Sequence, residues 1–228
     1  FKKIINRSLN PRLFVGHCLT GFEVQILSNP QAVEYGQFWE MNCTTTCPEP
    51  RFTIEGKGGG TKPNITEGEN WQQYSYSNVS QWDLKYPCYV MCNTTGTREK
   101  AEITVPVYIR ELNITQPPGA LQEKKQYSLE CTGPRVYPKD RLILKWLKGN
   151  EILHTAFTNV SGLPDEDNRL RNVLNITANK SDDGQNYTCV AEIILESNDT
   201  MQIQTSSITL QVNCKFLFGQ HTPCRRIG

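Results

Sequence analysis

Two cysteine pairs of identical spacing constrain this chain most tightly. Cys43 and Cys47 lie four residues apart, as do Cys88 and Cys92, and each member of the second pair follows its counterpart by 45 residues. Two strands running in the same direction in two facing sheets would place such pairs side by side, Cys43 with Cys88 and Cys47 with Cys92. Four residues of strand cover roughly 13 Å, so one bridge can lie in a core and the other at the end of the same sandwich. The same four thiolates could instead bind zinc, because a C-x3-C spacing falls within the usual ligand range.

The asparagines decide between these readings. Asn-X-Ser/Thr triplets occur at Asn6, Asn42, Asn64, Asn78, Asn93, Asn113, Asn159, Asn175, Asn179, Asn186 and Asn198, well above what a cytosolic chain of 228 residues gathers by chance. Nine cysteines together with these sequons point to an oxidising compartment and a glycosylated, extracellular or cell-surface segment. No run approaches the ~18 to 20 apolar residues of a membrane span. The first residues also lack the apolar core and cleavage site of a signal peptide. The chain therefore reads as the ectodomain of a single-pass membrane protein, its leader and anchor lying elsewhere.

At 228 residues there is room for two domains of about 100 residues, each with its own core. A net charge of +1 gives no electrostatic footprint of a nucleic-acid binder. His17, His154 and His221 are scattered, and no G-x-S-x-G, H-E-x-x-H or phosphate-binding glycine loop occurs. The sequence thus predicts no enzyme, no enzyme substrate, and no intrinsic metal or cofactor.

Apolar periodicity is short and strand-like: Phe22–Ile26, Ile103–Val105, Val107–Ile109, part of Leu142–Trp146, and Ile208–Val212 all alternate. Glu34–Asn42 reads as a turn feeding the strand of Cys43. In the second half, Trp146 follows Cys131 by 15 residues, Cys189 follows by 58, and Tyr187 precedes Cys189 by two. A bridge between facing sheets, a buried Trp and a tyrosine corner form the immunoglobulin pattern. Gly184 lies one residue further from the cysteine than is commonest, which predicts an altered corner. The first half follows the same plan without a Trp on its third core strand, where Arg51–Ile54 is the best candidate and Phe52 or Ile54 takes the core place. The expected fold is all-β, two tandem immunoglobulin-like sandwiches at 22–109 and 110–213, with flanks at 1–21 and 214–228. The join near Tyr108–Arg110 has no Gly/Ser spacer, which favours rigidly related domains. Cys18, Cys214 and Cys224 fall in the flanks and have no assigned partner; a Cys18–Cys214 bridge requires the ends to fold back.

Over roughly residues 22–213 the motifs resemble the intercellular adhesion molecule family and, more distantly, vascular cell adhesion molecules. The segments that carry the likeness are Asn42-Cys-Thr-Thr-Thr-Cys-Pro-Glu-Pro50, Ile54-Glu55, Trp71 through Ser80, Val136–Leu142 and Leu147–His154. The resemblance implies a leukocyte β2 integrin as partner. Glu55 takes the place of the family's acidic residue, its carboxylate completing the coordination of an Mg²⁺ ion supplied by the integrin. Oxygen ligands in near-octahedral geometry suit that ion. Tyr89 matches a family position flanking the contact. Two features depart from the pattern: Gly56 stands where the family usually has Thr, and Gly60 where it has a lysine. The alternative is an immunoglobulin-superfamily receptor that binds homophilically, as a homodimer, or engages an α4 integrin.

Overall fold

The computed structural model describes residues 21–54, 62–160, 162–164, 168–215 and 221–223. The first half contains β1 (Val24–Asn29), β2 (Val33–Glu34), β3 (Trp39–Thr45), β4 (Pro50–Ile54), β5 (Asn64–Glu67), β6 (Trp71–Tyr76), β7 (Leu84–Cys92), β8 (Thr97–Val105) and β9 (Val107–Ile109). β1, β3, β6 and β5 form one sheet, and β4, β7 and β8 form the facing one. The expected turn over Glu34–Asn42 is shorter than the sequence suggested. β3 already begins at Trp39, because Trp39, Met41, Cys43 and Thr45 all point into the sandwich on a strict two-residue period. Trp39 is the centre of this core, stacked on Tyr76 at 5.4 Å and Tyr86 at 4.9 Å, with its indole N–H donated to Ser28 Oγ.

The second half contains β10 (Asn113–Thr115), β11 (Leu121–Gln122), β12 (Gln126–Thr132), β13 (Arg135–Tyr137), β14 (Leu142–Lys148), β15 (Glu151–Phe157), β16 (Arg171–Thr177), β17 (Asn186–Ile194), β18 (Thr200–Thr209), β19 (Val212–Lys215) and β20 (His221–Pro223). The order β10–β12–β16 faces β15–β14–β17–β18, an immunoglobulin-like pair of sheets. Trp146 is fully buried beside the Cys131–Cys189 bridge and lies opposite Cys189 in register.

The tyrosine corner is altered, as the position of Gly184 suggested. Gly184 adopts φ +72°, a conformation glycine takes without strain. The Tyr187 hydroxyl donates to the Asp182 carboxylate at 3.0 Å, and Lys148 Nζ donates to the same oxygen. Burial pushes the Asp182 carboxyl up, but hydrogen bonds from Lys148, the Asn179 backbone N–H and Tyr187 outweigh it, and the net shift is down.

Between the two sandwiches, β9 is the middle strand of a small sheet. It pairs in parallel with β2 and antiparallel with β13, so one strand carries backbone hydrogen bonds to both halves. Glu111 receives both Arg135 Nε at 3.0 Å and Arg135 Nη2 at 2.6 Å, while Arg169 reaches the Glu111 and Gly133 carbonyls. At the far end, β19 runs past position 213 to Lys215 and pairs with β11 and β20. Cys214, placed in a flank by the sequence, lies within that strand and is disulfide-bonded. Cys18 and Cys224 lie outside the described residues.

Candidate functional site: the outer face of the β4–β7–β8 sheet

The two bridges predicted from spacing are present. Cys43 joins Cys88 and Cys47 joins Cys92, with Cα separations of 6.4 and 5.7 Å. Rather than one in the main core and one at its end, both belong to a single small cluster with Val90, against which Phe52 and Ile54 pack. Phe52 and Ile54, either of which was expected at the core place, are both half-buried against this cluster, and the Trp39 core forms a separate cluster. This end of the domain is held by sulfur and short apolar side chains in place of a large hydrophobic core.

Parity along β7 then fixes what faces outward. Cys88, Val90 and Cys92 point in, so Tyr89 and Met91 point out. The register aligns Thr53, Tyr89 and Lys100 in one row and Arg51, Met91 and Arg98 in the next. The Arg98 guanidinium lies over the Tyr89 ring, 4.1 Å from its centroid. Such a contact fixes ring orientation and contributes about 0.5–1 kcal/mol at an exposed site. Tyr89, Arg98, Glu99 and Lys100 line a shallow depression. Glu102 pairs with Lys85 at 2.7 Å and reaches Lys100 at 4.0 Å, and the bond from Lys85 holds its carboxyl below the usual range. The turn after β7 closes with the Gly96 N–H donated to the Cys92 carbonyl at 2.7 Å, Gly96 standing at φ +66°.

Glu55 follows directly on Ile54, the last residue of β4, and lies outside the described residues together with the glycine run after it. Tyr89 is placed on the outer face of the sheet in which β4 is an edge. Sequence reasoning missed Arg98 and Lys100, although their two-residue spacing on a strand opposite Met91 and Tyr89 was a usable signal. Among the described residues no group of three or more His, Cys, Asp or Glu side chains is gathered as a metal site, and no helix is long and apolar enough to cross a membrane.

The sequons are distributed unevenly over the first domain. Asn42 lies in β3 and Asn64 in β5, both in the opposite sheet, Asn78 follows β6, and Asn93 lies on the turn after β7. Strands β4, β7 and β8 carry none. Asn42 is half-buried, its Oδ1 shielded from solvent and without a hydrogen-bond partner. Asn64, Asn78, Asn93, Asn113, Asn159, Asn175, Asn179, Asn186 and Asn198 are exposed.

Residues 20–110 match the family model described as intercellular adhesion molecule (ICAM), N-terminal domain. Intercellular adhesion molecule 1 of Rattus norvegicus is 25% identical over 175 residues, covering 77% of this chain and 31% of the relative. Intercellular adhesion molecule 4 of Homo sapiens is 24% identical over 130 residues, covering 54% of this chain and 44% of the relative. The first domain, residues 20–110, is thus similar to the N-terminal domain of the intercellular adhesion molecule family, and relatives of that family extend the likeness into the second domain. The chain spans less than half the length of these relatives. Among solved structures, the ICAM-5 D1–D4 ectodomain fragment superposes with a TM-score of 0.50 at 19% identity, covering 86% of this chain and 52% of the other, a likeness of fold. In the first domain, the doubly bridged end and the sequon-free sheet are the two features that single out one face.

Proposed function

We propose that this chain is the ligand-bearing part of a cell-surface adhesion protein, and that it binds a leukocyte β2 integrin through the β4–β7–β8 end of its first domain. The observation that carries the reading is the bare sheet. Three strands without a sequon present Tyr89, Arg98 and Lys100, and the strand at their edge runs into Glu55. Strands that carry no attachment site leave their outer face open to another protein, the nearest sequon being Asn93 on the turn after β7.

In this reading Glu55 supplies a carboxylate oxygen to an Mg²⁺ ion held by the integrin, a hard-cation contact of the right chemical type. The metal belongs to the partner. Tyr89, held by Arg98, adds a rigid aromatic surface beside the contact, and aromatic residues lose little entropy on docking. The paired bridges keep the sheet end fixed before binding, so that less ordering is required on association.

Adhesion of β2-integrin-bearing cells to the purified chain tests the proposal, measured in Mg²⁺ and in EDTA, with wild type and Glu55→Ala. Adhesion that needs Mg²⁺ and fails with Glu55→Ala is the expected result. Adhesion unaffected by EDTA and by the substitution would remove the coordination mechanism, and binding of the chain to itself or to α4-integrin cells alone would replace the partner.

A further inference from the structure

Among the described residues of the second domain, the most exposed large apolar side chains gather at one end of β15. Phe157, which ends the edge strand β15, is 65% exposed, and Val160 and Leu163 just beyond it are 63% and 68% exposed. An edge strand with bare apolar side chains invites pairing with another chain, and natural edges are covered or charged. Phe157 lies opposite Ile143 at the rim of its sheet, and most of its side chain faces solvent.

Two residues after Phe157 stands Asn159, the acceptor of the triplet Asn159-Val160-Ser161. Thr158 is half-buried and accepts the Val160 backbone N–H at 3.1 Å, a short turn that leaves Asn159 exposed. We propose that Asn159 carries an N-linked oligosaccharide whose first N-acetylglucosamine lies on the Phe157 ring and covers this edge. Attachment forms a bond from Asn159 Nδ2 to the sugar C1 as the C1–oxygen bond to a lipid diphosphate donor breaks, the amide proton passing to a base of the transferase. One face of a pyranose ring is a row of C–H groups with partial positive charge, the complement of the electron-rich face of a phenyl ring.

Elsewhere the same spacing lacks the chemistry. Tyr76 also lies two residues before a sequon asparagine, Asn78, but it is 2% exposed and stacked on Trp39, so no sugar can reach its face. At Asn93 and Asn175 the residue at that spacing is Met91 or Val173, with no ring to offer. Phe157 is the exposed aromatic in this relation among the described residues. The inference is independent of the integrin reading.

A test uses the chain secreted from mammalian cells as wild type, Phe157→Ala, Ser161→Ala and the double variant, with peptide mass mapping and thermal unfolding. Asn159 is expected to be occupied, and Ser161→Ala to lower Tm by about 4 °C when Phe157 is present but by less than half as much in the Phe157→Ala background. Trimming the oligosaccharide to one N-acetylglucosamine should leave Tm unchanged. An unoccupied Asn159, equal Tm losses in both backgrounds, or a loss on trimming as large as that of Ser161→Ala would each overturn the proposal. So would dimerisation at unchanged Tm on Ser161→Ala, with a second copy then the cover.

Discussion

Arg98 lies over Tyr89 across a β7–β8 rung, guanidinium carbon to ring centroid 4.1 Å. The pair is offset in register, since Tyr89 is directly opposite Lys100, so the arginine reaches diagonally along the sheet to cover the ring. Its consequence is an aromatic surface with one orientation. Arg98→Ala should weaken integrin adhesion by roughly two- to fivefold, the equivalent of 0.5–1 kcal/mol, without a change in thermal stability beyond about 1 °C. Surface plasmon resonance against the immobilised integrin measures this; an unchanged affinity would show that the ring needs no support.

The Asp182 carboxylate, shared by Tyr187 and Lys148, makes a pH-dependent contribution. Its folded pKa is lowered, so its stabilisation is present above the unfolded value near 3.9 and disappears as pH falls through the folded one. Lys148 is raised by its bond to Asp182, so that part is present below about 10.4 and is lost as pH rises through the folded value. The stability gap between wild type and Asp182→Asn should therefore be flat from about pH 5 to 9 and should close below about pH 4. Urea unfolding across that range decides it, and a gap that widened in acid would contradict the arrangement.

Asn172 closes one edge of the second sandwich from inside. Its Nδ2 donates to the Leu144 carbonyl at 2.9 Å and to that of His154 at 3.4 Å, while its Oδ1 meets His154 Nδ1 at 2.6 Å. Asn172→Leu removes the buried hydrogen bond to the Leu144 carbonyl and the two contacts to the more exposed His154, a loss of roughly 1–3 kcal/mol. A loss under about 1 kcal/mol in urea denaturation would mean that the edge can rearrange around leucine.

Each bridge of the first domain closes a 45-residue loop. In the chain-entropy model one such loop contributes about 3 to 4 kcal/mol. The second closes little that the first has left open. Replacing Cys47 and Cys92 by Ala, or Cys43 and Cys88, should each lower stability by less than that figure, while replacing all four costs much more than the two losses added together. Strict additivity, measured by calorimetry, would refute this redundancy.

Much of this was legible because it is written as period and spacing. Cys43, Cys47, Cys88 and Cys92 announced their pairing by equal offsets, and Cys131, Trp146, Tyr187 and Cys189 announced the second sandwich. The position of Gly184 even signalled the altered corner, although not that Asp182 would take the tyrosine hydroxyl. The start of β3 was misjudged because Glu40 and Asn42 read as loop residues, while Trp39 and Met41 between them were already holding the strand to the core. Asn172 and Arg98 were invisible for another reason: their partners lie 18 and 28 residues away, or on a neighbouring strand, and no local pattern encodes such meetings. Glu55, named from resemblance, lies outside the described residues and rests on the adhesion assay.

The β2–β9–β13 sheet sets how the molecule can answer a mechanical pull. Its middle strand is the chain segment that leaves the first domain, and the three rungs Arg135–Ile109, Val136–Tyr108 and Tyr137–Val107 tie it to the second. Tension along that segment loads these rungs in shear, so they must yield together, whereas a sideways bend can peel them one at a time. The connection is therefore stiff against stretching and more compliant against tilting, so a tug on the tip reaches the second domain without slack.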